Sequence, residues 1–259
     1  MKNSLWSPRN VGGDRYRRAT LKRIPVIDDQ YTEIASLAGG LAHEIKNPLS
    51  TIRLNMELLA EDLQEIELPQ ARRSLKKVEL VQRECGRLEN LLNDFLQLTR
   101  PQKLNLVPSD VNQEIRDLLE LHRPKIEEAK IELRPYLAND LPTVMLDRQS
   151  FHRALLNLVL NAQQSMPGGG QLVIRTRTSG VEVLIELIDT GCGMESKVVE
   201  QLFTPFFSTK RGGSGLGLPM TRRIIEAHGG CLAIQSELNF GTQLTLTLPS
   251  LPRLTEPGT

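Results

Sequence analysis

Residues 181–194, VEVLIELIDTGCGM, join a strand-like run to a glycine-rich turn. The β-branched and leucine residues of the first part predict a strand over Val181–Asp189. Gly191 and Gly193 follow directly. A carboxylate at the end of a strand can accept a hydrogen bond from an amino group of a ligand, and glycine lets the ligand approach the backbone closely. This stretch therefore predicts one wall of a binding site beside a β-sheet.

A second glycine cluster, GGSGLGL at residues 212–218, runs into a helix that we place at Pro219–His228. The free N–H groups at the start of a helix attract phosphate. Either glycine cluster alone is a weak signal, because a glycine-rich turn is more often only a turn.

Two asparagines, Asn157 and Asn161, lie four residues apart in a helix that we place at Arg148–Ser165. They share one face of that helix, within a run of leucines. Burying two amides costs free energy unless they find partners. A hydrated Mg²⁺ and a triphosphate would be such partners, since Mg²⁺ prefers oxygen ligands and keeps some of its waters. Neighbouring backbone groups are the alternative.

The chain before Thr99 has helical periodicity. From Leu49 to Ile66, and again from Leu75 to Phe95, apolar residues recur at steps of three and four, and Pro69 marks a turn between the two runs. Two amphipathic helices cannot cover both of their apolar stripes, so we expect two chains to form a dimeric four-helix bundle. Packing of the stripe on the rest of the same chain is the alternative.

The chain after the proline-containing segment 101–108 mixes helices with strands. This order predicts an α+β, multidomain chain in which a helical hairpin precedes an α/β two-layer sandwich. Besides the three elements already placed, we expect a helix at Val111–Ala129 and strands at Ile131–Tyr136, Gln171–Thr178, Cys231–Ser236 and Gln243–Leu248.

Composition excludes several classes of protein. Lys+Arg 32 against Asp+Glu 31 leaves a formal net charge of +1, so no global field favours nucleic acid. Cys85, Cys192 and Cys231 form no CxxC pair, which argues against a zinc site or a disulfide framework. No apolar run reaches the roughly 20 residues of a transmembrane helix. The basic arm 1–28 lacks the apolar core of a secretory signal, so we expect a cytoplasmic protein.

His43 and Glu44 are neighbours in the first helix and are followed by Asn47 and Pro48. A carboxylate beside an imidazole makes it more basic or more nucleophilic. The segment is similar to the start of HExxH, but Asn47 stands in place of the second histidine, which argues against a zinc protease. Pro48 removes a backbone donor, and we expect a kink there.

Taken together, these segments resemble the sequence boxes of bacterial two-component sensor histidine kinases, of a soluble, nitrogen-regulatory-like type. The boxes stand in the family's order, and the resemblance covers about residues 34–248. The segments that carry it are LAHEIKNPL at 41–49, NLVLNA at 157–162, DTGCGM at 189–194, FTPFFSTK at 203–210, GSGLGL at 213–218 and Gly241-Thr242.

The resemblance implies a GHKL-type ATPase domain that uses ATP and Mg²⁺. His43 would be the phosphoacceptor, Glu44 would orient or deprotonate its imidazole, and Asn47 would position a water for dephosphorylation of a response regulator. Asn161 would coordinate Mg²⁺, with Asn157 supporting the same face. Asp189 would accept a hydrogen bond from the adenine amino group, and the residues that would shape the nucleotide pocket are Gly191, Gly193, Lys210, Gly213, Gly215, Leu216 and Gly217.

The same resemblance implies the division of the chain and its partners. We expect a basic arm at 1–28, a dimerisation and phosphotransfer hairpin at 29–100, a linker at 101–108, an ATP-binding domain at 109–250 and a tail at 251–259. The partners would be a second copy of the chain, a response-regulator receiver domain and a sensor protein or an upstream region that supplies the input. The alternatives are a catalytically weak ATP-binding adaptor or regulator phosphatase, and a relative of the gyrase and chaperone ATPases. Gln164 departs from the family pattern, in which a basic residue often faces the phosphates.

Overall fold

The structure of the protein is a computed structural model. It describes residues 28–64, 66, 68–99, 103–210 and 213–251, with side chains from residue 45 onward except those of residues 97 and 99. The expected basic arm, apart from residue 28, and residues 252–259 of the expected tail lie outside the described residues. A helical hairpin comes first, and a domain with a five-stranded sheet follows it.

The hairpin consists of α1 (Asp28–Gln64) and α2 (Pro69–Thr99), so the turn expected at Pro69 is confirmed. Pro69 is the first residue of α2, where the missing N–H costs no helical hydrogen bond. The side chains that the hairpin buries include Leu49, Ala71, Val78 and Cys85. Other apolar side chains of the expected stripes stay exposed, namely Ile52, Leu59, Ile66 and Leu88. The hairpin of one chain therefore covers only part of its apolar surface.

The second domain contains the elements β1 (Val107–Ser109), α3 (Val111–Glu128), β2 (Ile131–Tyr136), β3 (Val144–Leu146), α4 (Arg148–Ser165), β4 (Gly170–Ser179), β5 (Glu182–Asp189), α5 (Ser196–Gln201), α6 (Gly217–Ala227), β6 (Cys231–Glu237) and β7 (Gly241–Pro249). The large sheet has the order β2-β4-β5-β7-β6. β2 runs parallel to β4, and the other neighbours are antiparallel. β1 and β3 form a separate two-stranded antiparallel sheet.

The helices α3, α4 and α6 pack together on one face of the large sheet, which makes a two-layer α/β sandwich. Phe151 and Leu158 of α4 and Ile185 of β5 are fully buried in the core between the layers. On β5, Glu186 pairs with Arg175 and Arg177 of the neighbouring strand, at N–O distances of 3.9 and 3.3 Å. The expected fold class, a helical hairpin followed by a two-layer sandwich, is thus confirmed.

Two aspartates are the N-caps of α3 and α4, two of the helices that pack on the large sheet. Asp110 accepts hydrogen bonds from the N–H groups of Asn112 and Gln113 at the start of α3, and Asp147 accepts one from Ser150 at the start of α4. Such N-caps satisfy donors that have no partner within the helix. The N–H of Asp147 also donates to Nε2 of the buried His228 at 2.9 Å. These contacts fix the start of α4, the helix that presents the asparagines.

The structure adds three elements to those expected from the sequence, namely β1, β3 and α5. Two of them have three residues and the third has six, too few to establish a periodicity. Residues 107 and 108, which we assigned to the linker, pair with Leu146 and Met145 of β3. The N–H of Asn105 donates to the carboxylate of Asp147 at 2.9 Å. The end of the linker is therefore attached to the second domain.

Candidate functional site

The polar face of α4 is built around Asn157 and Asn161. The amide nitrogen of Asn157 donates to Oγ1 of Thr221 on α6 at 2.8 Å, and its amide oxygen accepts from Nδ2 of Asn161 at 3.4 Å. Asn157 therefore uses both ends of its amide inside the protein. The oxygen of Asn161 is directed at the cavity described below, and the Nζ of Lys210 donates to it at 3.0 Å. Of the two asparagines, only Asn161 has an amide oxygen that a ligand could reach, by displacing the ammonium of Lys210.

Asp189 lies at the end of β5, and only 6% of its surface is exposed. Its Oδ1 accepts hydrogen bonds from the N–H of Gly191 at 2.8 Å and from the hydroxyl of Ser165 at 3.2 Å. Burial raises the pKa of the Asp189 carboxyl above its usual value. The two hydrogen bonds just described oppose this shift, as do a hydrogen bond from the N–H of Thr242 and the positive charge of Lys210. The protein thus keeps a partly desolvated carboxylate at the cavity, which has capacity to accept further hydrogen bonds.

The turn after Asp189 requires glycine. Gly193 has a φ of 61°, a left-handed conformation that favours glycine, and a Cβ there would collide with the carbonyl of Glu237. A Cβ on Gly191 would collide with the side chain of Ser165, which holds Asp189. The two glycines therefore allow β5, α4 and the β6–β7 turn to approach each other closely around the carboxylate.

The second glycine cluster also borders the cavity, through Gly213, Gly215 and Gly217. Gly215 has a φ of 66°, and its carbonyl accepts a hydrogen bond from the N–H of Phe206 at 3.1 Å. A Cβ on Gly217 would collide with the amide of Asn157, so this glycine lets the start of α6 contact α4. Leu216 between them is fully buried in the core. The segment positions the first turn of α6 beside the asparagines.

Lys210 borders the cavity beside the second glycine cluster, since its carbonyl accepts a hydrogen bond from the N–H of Gly213 at 3.2 Å. Its Nζ donates to Oδ1 of Asn161 at 3.0 Å and to Oε1 of Gln164 at 2.8 Å. Desolvation at the cavity lowers the pKa of the Lys210 ammonium, and the nearby Cys192 and Asp189 partly oppose this shift. The side chain thus places a positive charge over the polar face of α4.

These elements enclose a cavity of about 900 Å³, a size typical of small-ligand sites. Of the residues expected at a nucleotide pocket, the cavity is bordered by Asn157, Asn161, Asp189, Gly193, Lys210, Gly213, Gly215 and Gly217. Gly191 and Leu216 do not border it, since one packs under Asp189 and the other belongs to the core. The structure therefore brings residues of four quoted sequence segments, 157–162, 189–194, 203–210 and 213–218, together at one cavity.

The expected phosphoacceptor, His43, lies on α1, and none of the described residues that border the cavity belongs to that helix. His43 and Glu44 fall within α1, and their side chains lie outside the described ones. Asn47 is exposed, and its carbonyl accepts a hydrogen bond from Oγ1 of Thr51 at 3.1 Å. Pro48 lies inside α1. His43 thus lies on the first helix of the hairpin, whereas the second helix of the hairpin and the second domain border the nucleotide-sized cavity.

Several residues that support the site were not expected from the sequence. Ser165 and Thr242 hold Asp189, Thr221 holds Asn157, and Gln164 holds Lys210. Thr242 was noticed only as part of a Gly-Thr pair before a strand. Gln164 was noticed only as a departure from the family pattern. Ser165 and Thr221 carry no local signal, because a serine or threonine in a helix is ordinary until its tertiary partner is known. In the part of the chain with described side chains, no group of three His, Cys, Asp or Glu residues is arranged to hold a metal.

Two protein-family models match the chain. One is the "His Kinase A (phospho-acceptor) domain", over residues 34–104, and the other is the "Histidine kinase-, DNA gyrase B-, and HSP90-like ATPase", over residues 146–252. The first match ends at residue 104, just before the sandwich begins at β1, and the second match begins at residue 146, at the end of β3. The first match contains His43, Asn47 and helix α2, and the second contains Asn157, Asn161, Asp189, Lys210 and both glycine turns.

Among curated proteins, the chain is similar to "Sensor histidine kinase ZraS" of Escherichia coli K12, with 34% identity over 222 residues, covering 85% of this chain and 46% of that protein. It is also similar to "Sporulation kinase E" of Bacillus subtilis, with 30% identity over 218 residues, covering 83% of this chain and 28% of that protein. The chain thus spans about half or less of the length of these relatives.

Among solved structures, full-length ShkA in complex with AMPPNP matches with a TM-score of 0.70 and 26% identity, covering 83% of this chain and 46% of that one. The histidine kinase ThkA in complex with the response regulator TrrA matches with a TM-score of 0.64 and 22% identity, covering 87% of this chain and 66% of that one. At that identity the ThkA match shows the fold alone. No helix in the described part of the chain is long and apolar enough to cross a membrane.

Proposed function

The chain belongs to the two-component histidine kinase family, and on that premise we propose that it transfers the γ-phosphoryl group of ATP to His43 and then to an aspartate of a response-regulator receiver domain. The observation that carries this proposal is the cavity, which is bordered by a buried carboxylate, two asparagines, a lysine and two glycine turns. His43, the phosphoacceptor that we propose, lies on α1, and none of the described cavity residues belongs to that helix. The histidine would therefore remain accessible to a second protein.

Asp189 is the residue that we propose for adenine recognition. Its carboxylate is held by Ser165 and Gly191 on one oxygen and still has lone pairs for an amino group. Gly193, Gly213 and Gly215 would leave space beside the base and the phosphates. Gly191 and Leu216 would support the site without bordering the cavity, since Gly191 leaves room for Ser165 beside Asp189 and Leu216 packs in the core.

Asn161 and Lys210 fit the phosphate end of a nucleotide. Mg²⁺ is usually bound through one or two protein oxygens together with substrate phosphates, and the amide oxygen of Asn161 provides one such ligand beside a cation. When bound, Mg²⁺ would neutralise charge on the phosphates. Asn157 holds Asn161 and the start of α6 in place, and Lys210 would turn from the amides to the phosphate oxygens.

The reaction at His43 is a phosphoryl transfer that needs positioning more than strong acid or base chemistry. A ring nitrogen of His43 forms a bond to the γ-phosphorus, and the bond from that phosphorus to the oxygen it shares with the β-phosphate breaks, which releases ADP. Glu44 accepts the imidazole proton or orients the ring. In the phosphatase reaction, which ends the signal, Asn47 would position a water that hydrolyses the phosphorylated aspartate of the regulator.

We propose that residues 29–100 and 109–250 are the phosphotransfer and ATP-binding units, joined by the linker 101–108. Residues 1–28 and 251–259 would flank them. The exposed apolar residues of the hairpin, such as Ile52 and Leu88, support association with a second copy into a four-helix bundle. The input would come from a sensor protein or from a region beyond this sequence.

The proposal is tested by incubating the purified chain with γ-labelled ATP and Mg²⁺, and then adding a receiver domain. We expect a label on the chain that is labile in acid and stable in alkali, and that moves to the receiver domain. ATP binding without any label would favour an adaptor or phosphatase instead. Steady ATP hydrolysis without a phosphorylated chain would favour a relative of the gyrase and chaperone ATPases.

Replacing Asp189 by asparagine should weaken binding of ATP and of adenosine at least about tenfold, because the amide has one acceptor oxygen and no charge. The same change should raise the melting temperature of the nucleotide-free chain at neutral pH. Burial raises the pKa of Asp189, so the folded chain holds this proton more tightly than the unfolded chain does, and ionisation costs stability as pH rises through that window. Titration calorimetry and thermal unfolding measure the two effects.

The native chain should also lose ATP affinity on acidification, beginning above the ordinary Asp pKa of about 3.9. An unchanged melting temperature and unchanged adenosine affinity in Asp189→Asn would show that this carboxylate neither contacts the base nor carries a desolvation cost. Asp140→Asn is the matched control, since Asp140 is exposed and does not border the cavity.

A further inference from the structure

Helix α2 borders the cavity in addition to packing in the hairpin. Six residues of α2 border the cavity, namely Arg83, Gly86, Arg87, Asn90, Leu91 and Asp94. The last five stand three, four, seven, eight and eleven residues after the first, which places all six on one face of the helix. The buried residues Val78 and Cys85 of the hairpin are not among them. α2 therefore has a second face, mostly polar, that closes one side of the cavity.

Three different contacts hold this face of α2 against the second domain. The carboxylate of Asp94 accepts a hydrogen bond from Arg153 of α4 at 2.6 Å, and both side chains are partly exposed. The ring of Phe95 lies 5.7 Å from the ring of Phe206, centroid to centroid. Leu98 is only 4% exposed and belongs to the core of the second domain. The end of α2 is thus anchored beside the cavity.

The cavity needs more positive charge than the second domain supplies. The face of α4 at the cavity carries the neutral amides of Asn157, Asn161 and Gln164, and Lys210 is the single cation of that domain among the described cavity residues. A triphosphate brings several negative charges into a site where uncompensated charge is costly. Arg83 and Arg87 are two further cations at the same cavity.

Neither arginine is committed to a strong partner among the described contacts. Arg87 lies 3.4 Å from Glu84 of the same helix, and both side chains are about half exposed, at 46% and 57%. Exposed pairs of this kind contribute little stability. Asp94, the acidic residue on this face of α2, is already neutralised by Arg153. The net charge that α2 offers to the cavity is therefore positive.

We propose that α2 forms part of the nucleotide site and that Arg83 and Arg87 bind the phosphates of ATP. The inference rests on the proposed function, because it takes ATP as the ligand of the cavity. Guanidinium groups present several donors in a plane that matches phosphate oxygens. Binding of ATP and docking of α2 on the second domain are then linked, so each strengthens the other.

The first test compares ATP with adenosine, which has no phosphates, by titration calorimetry on the full chain. The double variant Arg83→Gln/Arg87→Gln should lose about 25-fold in ATP affinity, with about fivefold for each arginine. Its adenosine affinity should stay native. Arg72→Gln/Arg73→Gln is the matched control, because it removes the same charge from the same helix away from the cavity, and it should leave both affinities unchanged.

The second test separates α2 from the cavity without changing a residue that borders it. Arg153→Asp places two carboxylates together at Asp94, so repulsion should undock α2 and reduce ATP affinity by a similar factor while adenosine affinity is retained. Arg153→Lys keeps the charge and should keep ATP affinity near native. The loss in the first variant and its recovery in the second identify docking as the cause, since the described contacts place Arg153 outside the cavity.

Native ATP affinity in Arg83→Gln/Arg87→Gln would overturn this inference and leave the proposed function intact, provided that the native chain binds ATP. An equal loss of ATP and adenosine affinity would also overturn it, because the arginines would then not act on the phosphates. Failure of the native chain to bind ATP would overturn both the inference and the proposed function.

Discussion

Replacement of His43 by glutamine should abolish labelling of the chain by γ-labelled ATP and leave ATP affinity at its native value. Glutamine has a side chain of similar length, but its amide nitrogen has no free lone pair with which to attack phosphorus. The described residues that enclose the cavity lie on α2 and on the second domain, so we expect nucleotide binding not to depend on this side chain. The measurement is acid-labile label per chain, with ATP affinity determined on the same preparation.

Two other histidines provide matched controls for this prediction. His122 and His152 lie on α3 and α4 of the second domain and do not border the cavity. His122→Gln and His152→Gln should therefore be labelled as the native chain is. If the label persisted in His43→Gln and disappeared in one of these controls, the phosphoacceptor would be that histidine and the assignment of His43 would be wrong.

Replacement of Asn161 by alanine should reduce the rate of phosphorylation at least about 100-fold, the scale seen when groups that hold a metal or a transition-state charge are removed. The change removes the oxygen that we propose as the Mg²⁺ ligand and one of the two acceptors of Lys210. Adenosine affinity should remain native, because Asp189 and the glycine turn are untouched. The rate is measured over a range of Mg²⁺ concentrations.

Gln163→Ala is the control for Asn161→Ala, since it removes an amide from the same helix at a residue that does not border the cavity. It should retain the native rate. High Mg²⁺ should restore part of the lost rate in Asn161→Ala and have no such effect on Asp189→Asn. A native rate and native Mg²⁺ dependence in Asn161→Ala would show that another group holds the metal.

Local sequence patterns predicted most of the elements that position the site. The helix at Arg148–Ser165 and the strand at Ile131–Tyr136 are found with the expected bounds. The strand before Asp189 begins at Glu182, one residue later than expected, because Val181 lies in the turn. Each of these elements has enough residues for its own period, either 3.6 or 2, to be visible in the sequence.

Short elements and tertiary hydrogen bonds could not be predicted in the same way. β3 has three residues, and it becomes a strand because Val107–Ser109 pairs with it from far along the chain. His228 was expected only to end a helix, but it is buried, accepts a hydrogen bond from the N–H of Asp147 and contacts the carbonyl of Ile224 at 2.7 Å. No local pattern encodes a partner that is distant in sequence.

The sequence by itself determined the fold class and the hairpin with its apolar stripes, and it predicted Asp189, Asn157 and Asn161 as site residues, which the structure places at one cavity. Periodicity and the residue types needed for close backbone approach are local properties, so they can be read without a structure. Only the tertiary structure decided that the amide of Asn157 is hydrogen-bonded to Thr221 of α6 and that Lys210 donates to Asn161 and Gln164. It also decided that α2 brings Arg83 and Arg87 to the cavity. These assignments depend on how helices pack across the sheet and across the two units, because a side chain's partner is set by the folded position of both residues.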